Sequence, residues 1–234
     1  MNDGLRRHFP ATGTLVLIVA ILAQLGWGLA RPGPVAKASE LGDPPSLASA
    51  RVASLGEPIG AAQALTLSLQ AYDNQPGISI PFLDLDYARV TAWLGRILSL
   101  DPNTQYPLLM AAQLYGQVPD EGKQRVMLQF VRTEFLRDPE HRWRYLAHLA
   151  IMAKHRLNDL PLALACAQDI HDHATGPEVP DWARQMHVFL LEDMGEYARA
   201  KILLGGLLAS GSITDPHEIH LLMERLEALN ARTK

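Results

Sequence analysis

Apolar residues recur at helical spacing along most of the chain from Ile59 onward, with polar positions between them. Leu65, Leu69 and Tyr72 fall on one stripe of a helix predicted from about Ile59 to Tyr72. Val90, Trp93, Leu94, Ile97 and Leu98 give one face to a second helix that runs to about Leu100. Further helices are predicted over about 105–116, 120–137, 140–157, 160–174, 180–194 and 196–209, and a last one opens at Asp215-Pro216. Core positions expected on the 120–137 helix are Val126, Phe130, Val131 and Phe135. On the 140–157 helix they are Leu146, Leu149, Ala150, Ala153 and Leu157.

Pro102, Pro139, Pro177 and Pro216 punctuate this pattern at steps of 37, 38 and 39 residues. A period of that size marks stacked helix pairs, each unable to bury its apolar face without a neighbour. Asp precedes the proline at 101, 138 and 215, an N-cap followed by a residue whose missing amide donor would be unpaired there anyway. Asp84 is the expected cap of the helix ending near Leu100, with Asp86 in its first turn. The fold class expected is all-α: a solenoid of about four helix pairs over 59–234 with a C-terminal capping helix whose outer face is solvated.

One stretch is apolar without being amphipathic. Between His8 and Arg31 lie 22 uncharged residues, roughly 33 Å as a helix against a bilayer core of about 30 Å. Residues 11–30 are therefore read as a transmembrane anchor behind a cytoplasmic N-terminus of residues 1–10, since Arg6 and Arg7 precede it and Trp27 suits the interface. A cleaved secretory signal is the other reading, because Gly28-Leu29-Ala30 offers small residues to a signal peptidase. The anchor is favoured because the run exceeds the roughly 7 to 15 residues of a signal's apolar region. Both place the remainder in the periplasm if the source is bacterial. Residues 31–58, with Pro32, Pro34, Pro44, Pro45 and Pro58, read as a tether rich in Pro, Gly, Ala and Ser.

Beyond residue 31 the chain holds 18 basic and 24 acidic residues, a formal charge of minus six, which argues against a nucleic-acid partner. The single cysteine, Cys166, sits among Ala163, Leu164, Ala165 and Ala167 as a small hydrophobe, and allows no intrachain disulfide.

Candidate binding residues come from two places. Ile78, Ile80 and Phe82 lie in an apolar connector that Pro81 keeps out of a helix, and such a loop either packs on the first helices or meets a partner. His141, Arg144, His148 and His155 lie beside the buried stripe of their helix and could meet a carboxylate or an acidic peptide. The bland alternative for that stripe is an ordinary solvated face. The histidines cannot share a metal ion, because a spacing of seven separates neighbours by about 10.5 Å along the axis. His171 and His173 point to different sides, and no third ligand accompanies His217 and His220. No cofactor is expected. Neither a nucleophile elbow nor a phosphate loop is present, so no reaction is predicted.

Gly195-Glu196-Tyr197-Ala198-Arg199-Ala200 resembles the turn and second-helix opening of tetratricopeptide repeats, although the period here exceeds that family's 34 residues. The chain as a whole also resembles membrane-anchored repeat proteins of bacteria, with 73–77 and 176–182 as its distinctive parts. That resemblance supplies no activity; the architecture itself leads to the expectation of a protein-interaction scaffold, an accessory or assembly subunit of a membrane-associated complex. The alternative is a cell-wall hydrolase or lyase that uses a carboxylate in the groove.

Overall fold

A computed structural model describes residues 11–30, 40–75, 78–211, 213 and 215–232. Residues 1–10, expected to be cytoplasmic, and 31–39, the first part of the expected tether, lie outside the described residues. The described chain is all-α: α1 (Ala11–Ala30), α2 (Leu47–Ala53), α3 (Pro58–Gln70), α4 (Tyr87–Leu100), α5 (Tyr106–Gln113), α6 (Glu121–Phe135), α7 (Pro139–His155), α8 (Leu160–His173), α9 (Asp181–Asp193), α10 (Tyr197–Ser210) and α11 (Pro216–Arg232). The one departure is a minimal antiparallel ladder of β1 (Asn74–Gln75) on β2 (Ile78–Ser79) within the connector after α3.

Aspartate side chains cap α4, α6, α8 and α11, whereas Asp138 makes no cap bond at α7 and Asp101 ends α4 instead of opening a helix. Asp120 accepts from the Lys123 amide at 2.8 Å, Asp159 from Leu162 at 3.0 Å and Asp215 from His217 at 2.9 Å. Asp86, not Asp84, caps α4, accepting from Ala88 at 2.9 Å. The expected order is corrected because Asp84 is taken up in a 3-10 turn over Phe82–Asp84, which moves the helix start two residues on. Gly195 and Gly211 have φ of 77° and 66°, left-handed conformations that end α9 and α10 where a side chain would be strained.

From α3 to α11 each helix packs on the next in chain order, and α4 also touches α6, as α5 does α7. The α7–α8 seam is lined by small side chains, Ala147, Ala150, Ala153, Ala163, Cys166 and Ala167, all at most 2% exposed. Small residues let two helices approach closely, and α7 and α8 share the most extensive packing of any helix pair among the described residues. Every core position expected on the 140–157 helix is buried, although Leu157 falls two residues beyond the end of α7. On α6 the expectation holds for Val131 and Phe135, while Val126 is exposed and Phe130 half-buried; Met127 and Leu128 fill the core instead.

Arg142, in the first turn of α7, ties that helix to the end of α6 and to the turn between α4 and α5. Its guanidinium donates to the Glu134 carboxylate at 3.0 Å, to the Glu134 carbonyl at 2.9 Å and to the Pro102 carbonyl at 2.8 Å. Arg137 holds the other Glu134 oxygen at 2.6 Å. A buried ion pair of this kind fixes register more than it adds stability.

Two expectations about the N-terminal region meet a different picture. The second half of the expected tether is folded onto the domain: Leu41 is buried, Arg89 donates to its carbonyl at 2.7 Å, and the Trp93 indole donates to the Gly42 carbonyl at 2.8 Å. The expected transmembrane anchor coincides with α1, whose side chains are described without a break only over 15–30. Among the described residues no helix is long and apolar enough to cross a membrane.

Candidate functional site

The connector between α3 and α4 is held from three sides. The Ile80 amide donates to the Asp73 carbonyl at 2.7 Å, closing the ladder of β1 and β2. Phe82 meets the Tyr115 ring edge-on at 5.5 Å, and Tyr115 meets Tyr87 in the same way at 6.2 Å. The Tyr87 hydroxyl donates to the Tyr115 carbonyl at 2.9 Å, and burial raises both phenol pKa values far above their ordinary range. From α6 the Lys123 ammonium donates to the Leu83 and Leu85 carbonyls and lies 5.1 Å above the Tyr87 ring.

Against this connector opens a pocket of about 580 Å³. Ile78, Ile80 and Tyr72 line one side, Leu85 and Arg89 the other, and Leu41 of the folded-back segment closes it. Arg89 lies within ion-pair range of Glu40, Asp86 and Asp43 at 3.4, 3.6 and 3.9 Å. With Asp84 also in the lining, carboxylates outnumber the one arginine. The rim is acidic and the floor apolar. Ile78 and Ile80 are half-buried, and Phe82 is the most firmly packed of the three expected contact residues through its ring contact with Tyr115. Their packing and their place beside the pocket are two aspects of one connector.

The α7 stripe is divided. His141 is exposed and bonded through Nδ1 to Asp138 at 2.8 Å. Arg144 is exposed and lies 4.9 Å over the Trp143 ring, which itself meets Trp182 edge-on at 5.6 Å. His148 is sunk toward the α5–α6 connection, where the Gln117 amide donates to its Nε2 at 3.1 Å. Burial, with Arg156 nearby, holds the His148 imidazole below its ordinary pKa. His155 is exposed beside Met186 and Phe189 of α9. His141 and His155 stand about 21 Å apart along α7 at the ordinary helical rise. Among the described residues no hydrogen bond, ion pair or ring contact joins this stripe to Ile78, Ile80 and Phe82, so the two candidate groups form two surfaces.

Among the described residues Glu134 is the one buried carboxylate, and Arg142 and Arg137 occupy its oxygens. The carboxylates of the connector pocket are exposed; Glu40 and Asp86 lie within ion-pair range of Arg89, and Asp86 also caps α4. Burial pushes the Cys166 thiol up to about 12, the setting of an inert core cysteine. Among the described residues no three His, Cys, Asp or Glu side chains converge as a metal site would require.

Sequence reasoning missed a second cavity, lined by His171 of α8, His187 of α9 and the face of α10. The two imidazoles lie 16 residues apart on different helices, and no spacing rule within one helix could pair them. Set beside known proteins, the chain matches no family, no curated protein and no solved structure.

Proposed function

We propose that the chain is a membrane-anchored interaction scaffold of a bacterial inner membrane, its tetratricopeptide-like solenoid periplasmic and its partner a protein or peptide. The reading is carried by the connector pocket: an apolar floor with an acidic rim, assembled from three separate segments of chain. Such a surface fits an apolar peptide segment flanked by basic residues. Order along the chain supports the solenoid, since successive helices pack in sequence and α11 closes the series with Leu222 and Leu229 as its buried side chains. Among the described residues no helix meets the length and hydropathy of a span, so the anchor is inferred from the uncharged run of residues 9–30 and from α1, which exposes Leu15, Val16, Leu17, Ile18 and Leu22. An apolar helix that protein does not cover is suited to lipid.

Photo-crosslinking from Ser79, an exposed position beside the pocket, tests the partner in native membranes with the full chain. Discrete adducts from Ser79 that Ile78→Asp abolishes are expected. Equal crosslinking from Ser79 and from the exposed Arg199 on α10 would overturn the assignment. A reporter fused after Lys234 checks the topology separately: activity that requires an oxidising compartment is expected, and cytoplasmic activity contradicts it.

A further inference from the structure

The second cavity has a volume of about 650 Å³ and two unlike walls. α10 gives it Ile202, Leu203 and Leu207, with Ile202 73% exposed, while Gly206 faces open space. The opposite wall carries the imidazoles of His171 and His187, with ring centroids 4.3 Å apart. Both Nδ1 atoms reach the same acceptor, the Arg184 carbonyl, at 3.1 and 2.9 Å. A carbonyl only accepts, so each ring carries its proton on Nδ1, and each Nε2 of the neutral form is a lone pair. His187 is 5% exposed, yet among the described residues no hydrogen bond or ion pair reaches either Nε2.

Arg184 and Gln185 on that wall each already hold a carboxylate. Arg184 is paired with Asp181 and turned toward the Thr175 carbonyl at 3.4 Å. The Gln185 amide donates to Glu218 at 2.9 Å. What the wall offers is acceptors, and what it faces is hydrocarbon.

We propose that this cavity binds a small amphipathic molecule, an amine or alcohol on an alkyl or cycloalkyl body, whose head donates to the imidazole Nε2 atoms, an amine to those of both His171 and His187 and an alcohol to one of them, while its body covers Ile202, Leu203 and Leu207. A carboxylate of the same shape is disfavoured, since it would meet two lone pairs with Asp172 and Asp181 nearby. The titratable and charged groups around the imidazoles are Asp172 on α8, Asp181 and Arg184 on α9, and Glu218 of α11 through Gln185; the α10 wall contributes none. Burial and the neighbouring His171 hold His187 below its ordinary pKa, so it accepts at neutral pH and loses that capacity only in acid. The site is independent of the connector pocket, and failure of either leaves the other standing.

The probes are cyclohexylmethylamine, cyclohexylmethanol and cyclohexanecarboxylate, titrated into the full chain in lipid nanodiscs while imidazole proton resonances are followed. Saturable binding of the amine and the alcohol, absence of carboxylate binding, and weakening as pH falls below about 6 are expected. His171→Ala, at an exposed position, should weaken amine binding about five- to tenfold, the worth of one hydrogen bond. Gly206→Leu, whose side chain enters open space, should abolish it with helicity unchanged. Carboxylate binding as tight as the amine's, amine binding that survives both substitutions, or an imidazole response to Zn²⁺ with none to the amine would overturn the proposal.

Discussion

The α7–α8 pair and α10 are built from similar proportions of apolar residues and end in opposite states. In the first, Ala, Cys and Leu side chains sit at helical spacing and meet a matching face, so the seam closes. In α10 the run Ile202-Leu203-Leu204-Gly205-Gly206-Leu207-Leu208 is apolar nearly all round, and its helix buries only Ala200 and Leu204. Apolar content makes a helix sticky, but periodic placement against a complementary surface decides whether the stickiness is used within the fold. The unused part of α10 becomes the wall of a cavity.

The contrast can be broken by substitution. Glu134→Ala leaves buried Arg142 with only the more distant Asp138 carboxylate, at 4.0 Å, and should cost about 3 kcal/mol, read as a lowered denaturation midpoint. Ala150→Leu forces extra methylenes into the closed seam and should cost about 1–3 kcal/mol in the same experiment. A smaller effect comes from pH. His148 and His187 are held below their ordinary pKa in the fold, so the unfolded chain takes up protons first as pH falls. Stability should therefore be flat above about pH 7 and decline as pH drops below about 6.5, with His148→Gln removing part of that slope. Ile202→Ser, on the open face, should change stability by no more than about 0.5 kcal/mol. A loss at Ile202 as large as at Ala150 would erase the distinction between the two regions.

Helix order was legible because each unit announces itself twice, through an amphipathic stripe and through a capping aspartate or a proline at the first turn. The stripe of α7, from Leu146 to Ala153, is a local property and survives folding unchanged. What escaped the sequence depends on distant partners. Leu41 and Gly42 lie in a proline-rich stretch that resembles a tether, and Arg89 and Trp93, about fifty residues away, fasten them down. Arg142 reads as a surface charge until Glu134 and the Pro102 carbonyl enclose it. Asp84 and Asp86 are equally good caps in isolation, and the 3-10 turn around Asp84 makes the choice. His171 and His187 meet because α8 and α9 pack, a fact that neither helix carries alone.

Amide hydrogen exchange on the full chain in a lipid mimetic tests this division of the molecule most directly. The slowest-exchanging amides should lie in α7 and α8, with those of α10 exchanging at least about tenfold faster because its open face leaves few contacts to break. Protection in α10 equal to that in α7 and α8 would contradict the account, and would mean that the apolar face of α10 is already covered in the free protein.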